Sequence, residues 1–255
     1  MTTTNYSIGN LTSTPVSRST FLDNFYTDDV YSFSTNATTS INLNLHNISI
    51  GDDADLYLYR DSNGNGVWDS GDQQLASSRR TSNNDDSINY QTGAGTYFAR
   101  VERYAPGSNG RLDYALDLSA TQTNPTPATT APPNLIPNEF DGGVLRQGGV
   151  FTRSDRVGNS DTSDIYRLSL DRASNVNVSL TGLSSDADVR LISDLNNNHI
   201  VDDGEVQSFG FSNRGGTADD SFSFFAHSGN PFYIQVYQYS GDTNYQLQAS
   251  ASSAI

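Results

Sequence analysis

DADLYLYRD, residues 53–61, returns later in the chain as DADVRLISD, residues 186–194. In both copies apolar residues alternate with other residues, the period-two pattern of a strand with one buried face. The alternation places Leu56 and Leu58 on the core side, with Asp55, Tyr57, Tyr59 and Asp61 opposite. In the second copy Val189 and Leu191 take the core positions.

The blocks on either side recur in the same order. DDVYSFS, with Asp29 and Tyr31, matches SDIYRLS, with Asp164 and Tyr166, and SINLNL matches NVNVSL. Later, TYFARVERY (96–104) matches PFYIQVYQY (231–239), and LDYALDLSA is echoed by TNYQLQASA. Each block alternates or is rich in β-branched and aromatic residues, and clusters of Gly, Asn, Asp and Ser separate the blocks. No segment carries a helical stripe. The expected architecture is all-β, two tandem antiparallel β-sandwich domains over residues 1–120 and 138–255. ATQTNPTPATTAPPNLIP lies between them, so residues 121–137 read as a Pro/Thr-rich linker, a semi-extended spacer.

The chain of 255 residues has room for two such cores. A mean hydropathy of −0.54 fits a turn-rich soluble protein without a membrane span. Formal net charge is −15, and all 14 basic residues are arginine, which argues against nucleic acid or membrane insertion as a mode of action. With no cysteine, disulfides and thiolate metal sites are excluded. The N-terminal MTTTNYSIGNLTSTPVSRST has neither the basic nor the apolar region of a common secretory signal.

The repeated motifs, D-x-Y-x-F/L, D-x-D-L/V-x-L, G-T-Y-F-x-R-V and a closing Y-x-L, resemble the bacterial pre-peptidase C-terminal domain. That family is a jelly-roll-like module appended to secreted proteases and other exported enzymes. The resemblance covers both halves. It implies a non-catalytic protein that is extracellular or at the cell surface, with a role in secretion, stability, calcium binding or attachment to a polymer.

Each DxD strand runs into a twelve-residue loop with the oxygen spacing of an EF-hand. In DSNGNGVWDSGD, residues 61–72, the ligand positions 1, 3, 5, 7, 9 and 12 are Asp61, Asn63, Asn65, Val67 (through its carbonyl), Asp69 and Asp72. In DLNNNHIVDDGE, residues 194–205, they are Asp194, Asn196, Asn198, Ile200 (carbonyl), Asp202 and Glu205. Gly66 fills position 6 of the first loop, but His199 stands there in the second, where a left-handed backbone costs roughly 1 kcal/mol. Asp72 is one methylene shorter than Glu205, which predicts a shorter reach. Hard oxygen donors without a cluster of imidazoles or any thiolate select Ca²⁺, two ions in all, one per domain. The loops are also similar to those of dockerin modules, without the flanking helices.

Asp55 and Asp188 read as solvated strand residues, and the pairs Asp85–Asp86 and Asp219–Asp220 as turn composition. Tyr233, Tyr237 and Tyr239 share one strand face, matched by Phe98, Arg100 and Tyr104, and if exposed they suit a polysaccharide or a fibrous protein surface. The alternatives are therefore an adhesive or carbohydrate-binding module in which calcium is structural, and a hydrolase with an unrecognised carboxylate site. His46, His199 and His227 fall in no catalytic motif, and G-x-S-x-G and H-E-x-x-H are absent.

Overall fold

A computed structural model describes residues 2–105, 110–122, 134–159, 161–202 and 204–253. All regular structure among them is strand. The first nine strands are β1 (Thr2–Asn10), β2 (Val16–Asp23), β3 (Tyr26–Thr35), β4 (Thr39–His46), β5 (Asp53–Arg60), β6 (Gln73–Ser78), β7 (Asp86–Thr92), β8 (Gly95–Ala105) and β9 (Arg111–Gln122). The second nine are β10 (Phe140–Leu145), β11 (Val150–Val157), β12 (Ser163–Leu170), β13 (Ser174–Thr181), β14 (Asp186–Ile192), β15 (Val206–Ser212), β16 (Asp220–Ala226), β17 (Phe232–Ser240) and β18 (Thr243–Ser253).

The chain divides into two compact units, Met1–Pro137 with Asn159–Thr162, and Asn138–Gly158 with Ser163–Ile255. In the first, a sheet of order β1-β3-β8-β5-β6 opposes one of order β2-β9-β4-β7. The second has sheets of order β10-β12-β17-β14-β15 and β11-β18-β13-β16, the same topology with every strand moved on by nine. Each core lies between the two sheets of its unit. Leu56 and Leu58 belong to the first core and Val189 and Leu191 to the second, as the alternation requires.

One pairing in each unit departs from the antiparallel expectation. β1 runs parallel to β3 and β10 parallel to β12. The strand between them, β2 or β11, sits in the opposite sheet, so the chain re-enters the first sheet running in its original direction. Both parallel pairs carry a register shift next to a left-handed glycine, Gly9 (φ 89°) and Gly143 (φ 69°). A bulge there needs a backbone that residues with a Cβ rarely adopt.

Of the expected spacer, Thr121 and Gln122 continue β9, and residues 123–133 lie outside the described residues. Asn134 donates to the Ser13 carbonyl (2.8 Å) and accepts from Asn42 Nδ2 (2.7 Å). Leu135 and Ile136 are buried. The end of this stretch is thus tied to the first unit through Asn134.

The D-x-Y and Y-x-L motifs meet inside the sandwich. Asp29 and Tyr31 face the core from β3, and Tyr114 faces them from β9 in the other sheet. Tyr114 donates to Asp29 Oδ2, and the hydroxyls of Tyr31 and Tyr114 lie 2.6 Å apart. The second unit repeats the chain with Tyr245, Asp164 and Tyr166. Burial pushes the Tyr114 and Tyr245 hydroxyls far above the usual phenol range and raises the Asp29 carboxyl as well. On the ring face, Tyr6 of β1 stacks on Tyr31 at 4.9 Å, and Phe140 of β10 stacks on Tyr166 at 4.8 Å.

Removing one hydroxyl from this chain takes a buried hydrogen-bond partner from its neighbours, which costs about 1–3 kcal/mol. Tyr114→Phe and Tyr245→Phe are each expected to destabilise their own unit by that amount in urea unfolding. An unchanged midpoint would show that the relay contributes nothing.

Candidate metal centres

Both twelve-residue loops leave the sheet at the end of a DxD strand, β5 or β14, and return into the edge strand, β6 or β15. Asp61 Oδ1 and Oδ2 accept from the N–H groups of Gly64 (2.7 Å) and Gly66 (3.0 Å). Asp194 likewise accepts from Asn198 (3.2 Å) and His199 (3.1 Å). Asn63 Oδ1 caps the N–H of Asn65 at 3.0 Å, as Asn196 Oδ1 does that of Asn198 at 3.0 Å. Asn65 and Asn198 then cap Val67 (2.7 Å) and Ile200 (2.9 Å). The two sequences share few residues beyond the ligand positions, yet they form the same ring of Asx turns.

The last position closes both rings. Glu205 spans the loop from the N–H of Leu195 (Oε1, 2.8 Å) to that of Asp202 (Oε2, 2.8 Å). Asp72 makes the equivalent span, from Ser62 N–H (3.1 Å) to Asp69 N–H (2.9 Å). The shorter side chain therefore reaches the same pair of main-chain groups.

The backbone at position 6 is left-handed in both loops, Gly66 at φ 73° and His199 at φ 58°. Position 4 is left-handed too, Gly64 at φ 71° and Asn197 at φ 55°. The sequence reading missed this second position, although Gly and Asn are the residue types that tolerate it best.

The ninth residue collects the amide groups. Asn63 Nδ2 and Asn65 Nδ2 donate to the Asp69 carboxylate at 3.1 and 2.7 Å, and Asn196 and Asn198 donate to Asp202 at 2.8 and 2.9 Å. The Gly71 N–H and the Asn65 amide hold the Asp69 carboxyl below the usual carboxylate range. Partial positive charge is thus gathered on one carboxylate of each loop. Among the described residues no three Asp, Glu or His side chains converge closely enough to hold an ion unaided. A cation in either loop therefore needs amide and main-chain oxygens as well as carboxylates, the mixed hard-oxygen set that suits Ca²⁺.

The first loop also covers the outer face of its sheet. Arg100 lies 5.4 Å from the Tyr57 ring and 4.9 Å from that of Trp68, the eighth loop residue, while Tyr59 meets Trp68 edge-on at 5.7 Å. Arg100 also pairs with Asp28 (Nε to Oδ1, 2.8 Å) and with Glu102 (Nη1 to Oε2, 3.1 Å). The late-strand aromatics do not form the exposed face expected from their alternation. Phe98, Tyr233 and Tyr237 are 1%, 3% and 9% exposed, and the Tyr237 hydroxyl is bonded to Asp188. Only Tyr104 stands well into solvent.

Asp55 and Asp188 are not solvated either. Both are buried, Asp55 accepting from the Tyr57 hydroxyl at 3.1 Å. Asp86 and Asp220 are fully buried and cap the β6–β7 and β15–β16 connections. Asp86 Oδ1 accepts from Ser78 Oγ (2.6 Å) and Arg80 N–H (2.8 Å), and Asp220 Oδ1 from Ser212 Oγ and Arg214 N–H (2.9 Å). Burial, reinforced by neighbouring carboxylates, raises Asp55 to about 6 and Asp86 and Asp188 to about 7. His46 Nε2 is bonded to Asp117 at 3.0 Å, which raises the imidazole pKa.

Two all-β units of one topology, each with an Asx-turned oxygen loop between a DxD strand and an edge strand, define a tandem β-sandwich protein. Residues 27–103 match the bacterial pre-peptidase C-terminal domain, and the first unit belongs to that family. No curated protein matches the chain. Among solved structures, the pre-peptidase C-terminal domain of a Bacillus anthracis collagenase is 20% identical, covering 47% of this chain and 97% of its own, with a TM-score of 0.35. PliG of Aeromonas hydrophila, a periplasmic inhibitor of g-type lysozyme, is 7% identical over 47% of this chain and 99% of its own, with a TM-score of 0.31. No helix of the described residues is long and apolar enough to cross a membrane.

The raised carboxyls set a sign for pH dependence. A carboxyl whose folded pKa lies above its unfolded value stabilises the fold at low pH and loses that contribution as pH rises through the folded value. Without added metal, thermal stability is therefore expected to fall between pH 5 and pH 8. Asp86→Asn and Asp188→Asn should each flatten that slope, and parallel curves for wild type and variants would contradict the assignment.

Proposed function

We propose that this protein is a non-catalytic tandem β-sandwich that works outside the cell as an accessory or attachment module, with one Ca²⁺ ordering each twelve-residue loop. The observation that carries the reading is the shared loop geometry. Two divergent sequences keep the same hydrogen-bonded ring, with left-handed residues at positions 4 and 6 and carboxylates at 1, 9 and 12. Asp61, Asn63, Asn65, Asp69, Asp72 and the Val67 carbonyl would hold the first ion. Asp194, Asn196, Asn198, Asp202, Glu205 and the Ile200 carbonyl would hold the second.

A bound ion supplies positive charge that three carboxylates in each loop otherwise lack. The chain's own residues position those carboxylates through main-chain N–H groups, and the ion completes the ordering of the loop by relieving their mutual repulsion. Millimolar calcium outside cells suits weak sites of this kind. Membership of the first unit in a family of appended modules supports the non-catalytic reading, and the buried state of Phe98, Tyr233 and Tyr237 disfavours a sugar platform on that face.

Trp68, the only tryptophan, sits within the first loop and reports on it alone. Excitation of the indole is expected to sensitise Tb³⁺ luminescence, and Asp61→Ala should abolish it. Calcium at about 100 times its Kd is expected to add about 2.7 kcal/mol to the stability of each unit. Absence of luminescence at saturating Tb³⁺, together with a melting temperature indifferent to calcium, would sink the metal reading of the first loop.

A further inference from the structure

The second unit has a recess that its sister sequence does not maintain. A cavity of about 280 Å³ opens beside the second loop, lined by the buried Leu191, Phe224 and Phe232 and by the exposed Phe209 and Phe225. Leu195 of the loop, 74% exposed, and His227, whose ring meets Phe225 edge-on at 5.1 Å, complete the rim. A cavity of about 150 Å³ already admits a benzene ring.

These residues are not requirements of the fold. Strand register makes Phe225 equivalent to Gln91 (partners Asn175 and Ser40) and Phe211 equivalent to Ser77 (partners Arg190 and Tyr57). By chain order Leu195 corresponds to Ser62 and His227 to Gly93. The first unit builds the same sandwich with small or polar residues at these four positions, while Phe209 corresponds to Leu75, which packs against the first core. Leu195, Phe225 and His227, apolar or aromatic in this copy only, border one cavity together with the exposed Phe209, and such a cluster asks for a ligand.

The recess lies against a free strand edge. β15 is the last strand of its sheet, and its sequence VQSFGFS has no charge and no proline to discourage another strand from pairing. It exposes Val206, Phe209 and Phe211. No arginine lines the recess, Asp194 does, and the chain as a whole carries −15, so an acidic ligand is disfavoured.

We propose that β15 and the adjoining recess bind an extended neutral or basic peptide segment. Its main chain pairs with the free edge, and one aromatic or branched aliphatic side chain fills the cavity between Phe209 and Phe225. The inference rests on the attachment reading and supplies its partner class. It does not depend on the first metal loop, so loss of the Tb³⁺ signal and loss of peptide binding are separable failures.

The test is an array of heptapeptides Arg-Thr-Val-X-Val-Thr-Arg with the central residue varied, probed with the full chain in calcium. Retention is expected when X is Phe, Tyr, Trp, Leu or Ile, and at least tenfold weaker when X is Gly or Asp. Phe225→Gln combined with Leu195→Ser, both residues that the first unit already uses, should weaken binding at least tenfold without changing the melting temperature. Backbone N-methylation of the peptide at alternate residues should abolish binding and needs no protein variant. Retention indifferent to X, to the double variant or to N-methylation would overturn the proposal. So would binding of cellohexaose or laminarihexaose that the double variant loses, which would assign the recess to sugars. A dimer in sedimentation that Phe211→Lys dissolves would assign the edge to a second copy of the chain and equally overturn it.

Discussion

The hydrogen-bonded chain from an aspartate through two tyrosines ties the sheets of each sandwich together. A carboxylate on the core face of β3 or β12 is stabilised there by a tyrosine from the opposite sheet that donates to it. That requirement fixes β3 against β9 and β12 against β18 more tightly than apolar packing does, since hydrophobic contacts accept small slides and a buried donor does not. The stacked ring of Tyr6 or Phe140 then holds the parallel first strand against the same tyrosine. Sheet-to-sheet alignment and the placement of the first strand thus converge on Tyr31 and Tyr166.

With the sheets fixed, the loops inherit their positions. Asp61 and Asp194 end the β5 and β14 segments whose leucine and valine residues are locked into the cores, so position 1 of each loop is set by core packing. The other loop side chains are placed by short Asx turns. Two neighbouring strands, one inner and one at the edge of the sheet, anchor the two ends of each loop.

Much of this was legible in the sequence. Period-two alternation gave the core faces of β5 and β14, and the duplicated order of motifs gave two units of one topology. The two twelve-residue loops were located by their oxygen spacing, and they share the 3-to-5 and 5-to-7 Asx turns. Other features were hidden for identifiable reasons. β1 and β2 carry TTTNYSIGN and VSRSTFLD, where exposed edge positions dilute the apolar pattern. The parallel pairing depends on which sheet the next strand enters, and that is a tertiary choice. Asp55 and Asp188 looked like solvated strand residues and Asp86 and Asp220 like turn composition, because composition cannot report that Tyr57, Tyr237, Ser78 and Ser212 stand ready to pair with them. Burial of Phe98, Tyr233 and Tyr237 escaped alternation for a similar reason, since a strand pattern tells one face from the other but not what covers the second.

The first strand of each unit pairs with the third strand of the same unit, and every sheet draws all its strands from one contiguous half of the sequence. Neither sandwich borrows a strand from its neighbour. A gene segment encoding such a unit carries every strand of its own two sheets. Divergence is then free to act on the edges. The second copy carries Phe209 and Phe211 on its edge strand where the first has Leu75 and Ser77, so one topology supports two different surfaces.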